Sequence, residues 1–536
     1  MQFSFRAALR GTVLTGALAL AALGLTALSQ GARAQTLTLA VSASPTSVDP
    51  HYHTFGPNES LDDHIFTPLV KMDEKSRPVP GLAESWKMLD DNTWEFKLRP
   101  GVKFHNGADF TAEDVVYTIN RVPTVANSPG SFKIYTKAVA GMEIVDPHTI
   151  RFKTNGIYPL LPIDLSQIYI IPHGLGPNPL TEDFNSLKDA IGTGPYKIVS
   201  YQNGNKAELE RFDGYYGTKP HWQHVTYRMI PNDGARTSAL LAGDVDFIEN
   251  VPTTDVATLS KNPKVALSET TSLRFVYLWL NRSHQDAPPD VSGPNGEKLD
   301  KNPYNDLRVR QALSMAINRD AIVSRVMENL AIPTGQFLAP GSYSYVPDLP
   351  PAKYDPAQAK KLLAAAGYPH GFRATLTGPN DRYVNDGKII QAIGQMWSRI
   401  GVQTTVNALT WPTFIGRANK LEFSSFLLAW GISSGEASNP LRSLIHTYDK
   451  SIGWGAVNRG RYHNPELDAM IAGAMKIGDD AKREKALQDA TRIAMNDVAI
   501  IPLHIQKNVW GMKAGLTYVA RADEATQAMG VTPVKK

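Results

Sequence analysis

The sequence predicts an α/β protein of two or three domains, on three observations. Helix and strand signals alternate along the whole chain. Its 536 residues are too many for one core. One stretch of the second half reads strand, helix, strand, a unit that joins parallel strands.

The first residues stand apart from that fold. Arg6 and Arg10 give a positive start, and the run from Val13 to Leu28 is apolar or small without a charge. Ala32-Arg33-Ala34 then offers the small-x-small pattern that a signal peptidase cuts. The apolar run is shorter than the about 20 residues that a membrane span needs. Residues 1–34 are therefore expected to be a cleaved export signal, leaving Gln35 first in the mature chain.

The elements follow in order. Thr93-Trp94-Glu95-Phe96-Lys97-Leu98-Arg99 alternates strictly, which predicts a strand with Trp94, Phe96 and Leu98 on its buried face. Asp90-Asp91-Asn92 and Pro100-Gly101 bound it as turns, and Asn106-Gly107 marks another. Thr111 opens a helix, with Asp114 in capping-box position and Phe110 and Val115 placed as a hydrophobic staple. The loop 282–304, polar and rich in Pro, Gly and Asp, is the candidate hinge or domain crossing.

Beyond it lies a second α/β unit. Leu307, Val309, Leu313, Ala316 and Ile317 stripe a helix near 306–317. Asp355-Pro356 is an N-cap with proline at the first helical position, and Gly367 ends that helix. Strand 373–377, helix 388–400 and strand 402–406 make the strand–helix–strand unit. Ile389, Ile390, Ile393, Met396, Trp397 and Ile400 face one side of its helix, and Gly401 terminates it. Asn464-Pro465 and Asp479 or Asp480 open two late helices, and Ala499 to Leu503 reads as a final strand.

Charge and cysteine content narrow the function. The 55 Lys and Arg exceed the 51 Asp and Glu by four, and three of those arginines fall in residues 1–34, so the rest is near neutral. Such a surface provides no field for collecting nucleic acid or anionic lipid. There is no cysteine, so the domains stand on their own cores and no thiol is present for a bacterial lipid anchor. An unanchored exported protein is retained where a second membrane encloses it, and the periplasm is the expected location.

Several motifs carry chemistry only in the right context. Gly431-Ile432-Ser433-Ser434-Gly435 matches the G-x-S-x-G nucleophile elbow, and Phe426 to Trp430 supplies a strand before it. Glu436-Ala437-Ser438-Asn439-Pro440 reads as turn rather than the required helix, which favours a small-residue loop lining a cleft over an esterase using Ser433. His51-Tyr52-His53 puts two imidazoles on one face of a strand, but no third or fourth ligand accompanies them, so no metal is expected. Gly192-Thr193-Gly194-Pro195 lacks the third glycine of a dinucleotide fingerprint and reads as a tight turn. With no P-loop pattern, no cofactor is expected. Trp94 and Trp397 belong to apolar faces, whereas Trp430, before the Gly-Ser loop, is placed to close a ligand pocket.

These residues resemble a known family. Pro80-Gly81-Leu82-Ala83-Glu84-Ser85-Trp86, the block from Thr93 to Gly107 and Phe110 to Val115 look like the signature region of the family-5 extracellular solute-binding proteins of ABC importers, the peptide/nickel group. Gly192 to Tyr196, Leu241 to Asp246, Arg308 to Leu313, Tyr354 to Tyr368 and Ile501-Pro502-Leu503-His504 continue the likeness over nearly the whole mature chain. The resemblance implies a two-lobe binding protein with an extra subdomain in the first lobe. On that plan lobe I takes 35–78, 191–290 and 499–536, the extra subdomain 79–190, and lobe II 291–498. It also implies an inner-membrane ABC permease as partner, a monomer, no nucleic acid, and binding rather than catalysis.

The resemblance further implies a short peptide or peptide-like ligand. Peptide binders of the family hold the ligand's amine with an aspartate three residues after a tryptophan matching Trp430; here Ser433 stands there, and Glu436 is the nearest carboxylate. The stretch Ser433 to Ala437 looks more like the glutathione-binding branch. Arg382 lies close to the arginine that grips a terminal carboxylate, with Asp381, Tyr383 and Asn385 in the same loop. His53 and Thr54 are expected on the lobe I side. An opine, an oligosaccharide, a nickel complex or haem on the same scaffold is the alternative.

Overall fold

The structure is a computed structural model and describes residues 35–432 and 434–534. The expected export signal and Ser433 lie outside the described residues. Among the described residues no helix is long and apolar enough to cross a membrane.

Local chemistry places the elements much as the sequence predicts. Thr111 accepts from Glu113 N at 3.3 Å and Asp114 Oδ2 accepts from Thr111 N at 2.8 Å, closing the capping box of the Ala112–Arg121 helix. Asp355, Asn464 and Asp479 cap the Pro356–Ala365, Pro465–Ala474 and Asp480–Asn496 helices with their side chains. Strands Phe372–Pro379 and Val402–Leu409 pair in parallel around the Asp386–Arg399 helix, whose Ile389, Ile390, Ile393 and Trp397 are wholly buried. The Gly192–Gly194 turn is dictated by close approach, since a Cβ on Gly192 would lie 2.0 Å from Ile65 O.

An eleven-stranded sheet runs through the molecule. Its first half sets Thr36–Val41 parallel to His224–Met229 and to Phe247–Ile248. Its second half sets Ser425–Gly431 beside the parallel pair just described. Two long strands, Val265–Leu280 and Ile501–Lys513, join the halves. They pair antiparallel from 265–271 against 507–513 and again from 275–278 against 501–505, with the register broken between Thr271 and Phe275. Separate apolar cores lie on the faces of each half. A four-stranded sheet (83–90, 93–98, 149–154, 139–146) with the Ala112–Arg121 helix has its own core and forms the extra subdomain.

Two expectations change in detail. The strand read at 499–503 is thirteen residues long, Ile501–Lys513, and short strands Leu516–Tyr518 and Val531–Pro533 follow it. It is buried on both faces and so lacks the alternation that would have marked its length. The 282–304 loop folds back on lobe II: Asn302 Nδ2 donates to Asn281 O at 2.9 Å, and Ser292 and Arg373 exchange backbone hydrogen bonds. The continuous route between the halves is the Val265–Leu280 strand.

Candidate ligand site at the lobe seam

The register break exposes what the hinge must satisfy. Ser272, Leu273 and Arg274 leave the ladder there, and Arg274 turns to Glu524 with Nη2–Oε2 at 2.7 Å and Nε 3.0 Å from both oxygens. Ser272 Oγ donates to the same carboxylate at 2.8 Å. Burial opposes the charge of Glu524, yet Arg274 and Ser272 hold its pKa below the usual value. Trp430 stands opposite Phe275 and Gly431 opposite Arg274 in the neighbouring strand pair, so the predicted pocket tryptophan borders the hinge. It is half-buried, and its Nε1 donates to Asn439 Oδ1 at 2.7 Å.

Arg382 reaches the seam from lobe II. Its loop is folded by Asp386, whose carboxylate accepts from the backbone N–H of Arg382 (3.1 Å), Tyr383 (2.9 Å) and Gly387 (2.8 Å). Asp381 Oδ1 accepts from Trp411 N at 2.7 Å and so fixes the Trp411–Asn419 helix beside it. The Arg382 guanidinium lies 5.5 Å from the ring centres of Tyr383 and Trp411 in lobe II and of Phe55 in lobe I. Among the described residues it has no carboxylate partner, and its Nε is buried without a hydrogen bond. Burial, followed by repulsion from Arg274, lowers its pKa.

The lobe I wall follows from Phe55. His53 stacks on it at 5.0 Å between ring centres, His53 Nδ1 lies 3.1 Å from Thr46 Oγ1, and Thr54 N donates to Gly130 O at 2.8 Å. Phe55 caps the Gly56–Ile65 helix, which puts Glu59 one turn on along the same face. The Glu59 carboxylate has no hydrogen-bond or ion-pair partner among the described residues. Burial, with Asp63 and Asp523 nearby, raises its pKa to about 7 against the pull of Arg274.

Asn385 and Glu436 are placed differently from each other. Asn385 Nδ2 donates to Thr253 Oγ1 of lobe I and to Val326 O, both at 2.9 Å, which latches the halves together. Glu436 is 3% exposed and binds Arg483 with Oε2–Nη1 at 2.7 Å, so its charge is already neutralised within lobe II. The loop leading to it touches lobe I instead: Gly435 has φ +67° and a Cβ there would lie 2.9 Å from Ser76 O. No helix follows that loop directly; the next begins at Ser438.

The sequence reading missed Glu59, the Arg274–Glu524 pair and Phe55. The signal available for Glu59 was its four-residue spacing from Phe55 across a Gly-Pro helix start. His51 is structural, with Nε2 2.7 Å from Tyr169 O and Nδ1 2.8 Å from Arg121 Nη1, and no group of three metal-ligating side chains occurs among the described residues.

A sheet shared by two lobes, a broken register between them and uncompensated opposite charges in the seam define a binding protein that closes on a small solute. The chain belongs to the bacterial extracellular solute-binding proteins, family 5, whose model matches residues 77–451. It is 28% identical over 470 residues to the glutathione-binding protein GsiB of Pectobacterium atrosepticum, covering 85% of this chain and 86% of that one. Its fold matches the periplasmic binding protein DppA of Helicobacter pylori in complex with the peptide STSA (TM-score 0.78, 23% identity, 93% and 98% of the two chains). It likewise matches NikZ of Campylobacter jejuni in complex with Ni(L-His) (TM-score 0.79, 21% identity, 94% and 100%).

Proposed function

We propose that this protein captures a short peptide or peptide-like solute in the seam and delivers it to an inner-membrane ABC permease from the periplasm, binding and releasing it unchanged. The observation that carries the reading is Arg382, a desolvated guanidinium whose Nε has no partner. A planar cation held between three aromatic rings suits a ligand carboxylate, which it can bind through two parallel hydrogen bonds. The ammonium end falls to Glu59 of lobe I, because Glu436 is already neutralised by Arg483. Trp430, Tyr383 and Phe55 then cover the ligand's body, while Asp381 and Asn385 hold the walls. Closure follows from the difference in affinity between the two arrangements of the lobes. Calorimetric titration with dipeptides, tripeptides and glutathione tests this; heat from at least one of these classes is expected, and none from any would refute it.

A further inference from the structure

Arg459 is a second guanidinium near the seam, and the reading above does not use it. Its neighbour Gly460 is pressed onto the Trp279 ring, where a Cβ would come within 2.3 Å, and Gly460 O accepts from Arg282 N at 2.8 Å. The loop is thereby clamped to the end of the Val265–Leu280 strand. Tyr277 and Phe275 lie on the same face of that strand, two and four residues nearer the hinge. Their rings follow Trp279 in series, with centres 5.8 Å and then 4.9 Å apart.

Arg459 Nε donates to Asn419 Oδ1 at 2.9 Å, and no carboxylate pairs with it among the described residues. Burial lowers its pKa, and Arg461 adds repulsion, against the pull of the Tyr277 and Tyr383 phenols. Tyr383 is the ring that also carries Arg382. Tyr277 is 0% exposed, and its hydroxyl has no hydrogen-bond partner. A desolvated cation without an anion, beside an orphan hydroxyl, is a costly arrangement that an anionic ligand group relieves.

We propose that Arg459 and the Tyr277 hydroxyl form a second anion subsite, so that this protein selects peptides bearing two carboxylates. The inference rests on the peptide reading above: Arg382 holds one carboxylate, Arg459 the other, and Glu59 the ammonium.

The test is calorimetry with three probes on the full mature chain. Glutathione has both carboxylates, its glycine ethyl ester lacks one, and γ-aminobutyryl-cysteinyl-glycine lacks the other while keeping an ammonium. Wild type is expected to bind glutathione at least about tenfold more tightly than either monoacid. Arg459→Met should abolish the penalty for one monoacid and Arg382→Met the penalty for the other. Tyr277→Phe should reduce the first penalty in part, and thermal melts of all three variants establish that they fold. Equal binding of all three probes by wild type, with Arg382→Met still weak, would overturn the second subsite and leave the peptide reading standing. An equal loss for all probes in Arg459→Met would assign Arg459 a structural role and overturn it as well. Silence from wild type toward every probe would overturn both readings.

Discussion

Arg442 and Arg382 both carry a guanidinium into the region between the lobes, and burial acts on both in the same direction. Arg442 Nη1 donates to Tyr158 OH of the extra subdomain at 2.9 Å, and that hydroxyl donates in turn to Asp164. Burial alone would lower its pKa, but Tyr158 and Asp164 raise it. Arg382 has aromatic rings around it and no anion, so burial and Arg274 leave its pKa lowered. The contrast teaches that burial of a charge does not mark a binding site. A partner supplied by the fold makes the charge part of the scaffold, whereas a missing partner makes it a receptor for something the fold does not contain.

That comparison can be broken at several points. The largest expected effect is on stability: Arg442→Ala leaves Asp164 and Tyr158 without their cation and should cost about 3 kcal/mol in urea unfolding. Arg382→Ala should leave the unfolding midpoint of the ligand-free protein unchanged or raised, yet weaken a carboxylate-bearing ligand by about 2 kcal/mol in calorimetry. Equal losses of stability in the two variants would erase the distinction.

Glu59 gives a pH test. Its folded pKa of about 7 lies above the ordinary 4.5, so between those values the folded protein holds a proton that the unfolded chain has lost. Its contribution to stability is therefore present at low pH and lost as pH rises through that window. Ligand binding runs the other way, because only the ionised carboxylate attracts an ammonium. Affinity for a peptide relative to its N-acetylated analogue should fall as pH drops below about 7, and a flat ratio would remove Glu59 from the site. The smallest effect belongs to Asn385→Ala, which removes the bond to Thr253 and should weaken ligand binding by about 1 kcal/mol, seen as faster ligand release.

Much of the fold was legible because it is set locally. Thr111 with Asp114, Asp355 before Pro356, and Asn464 before Pro465 each satisfy helix N–H groups within three residues, and each cap forms as read. The hinge was not legible. Val265–Leu280 finds its partner strand more than two hundred residues away, and its break reflects Arg274 turning to Glu524, 250 residues distant. The same holds for the site. Arg382 stood out through its resemblance to a carboxylate-gripping arginine, but Glu436 looked free because Arg483 lies 47 residues on. Glu59 looked like an ordinary acidic residue in a first helical turn, and Arg459 like a basic residue in a loop. Their meaning depends on neighbours that only the folded chain brings together.

The two long strands carry a consequence for how the molecule comes apart. Because each belongs to both halves, neither half owns a finished sheet; parting them would lay bare hydrogen-bonding edges on both sides at once. Heating should therefore melt the mature chain in one cooperative step, and a proteolytic nick near Leu273 should leave the fragments associated, as pieces of one fabric rather than beads on a string.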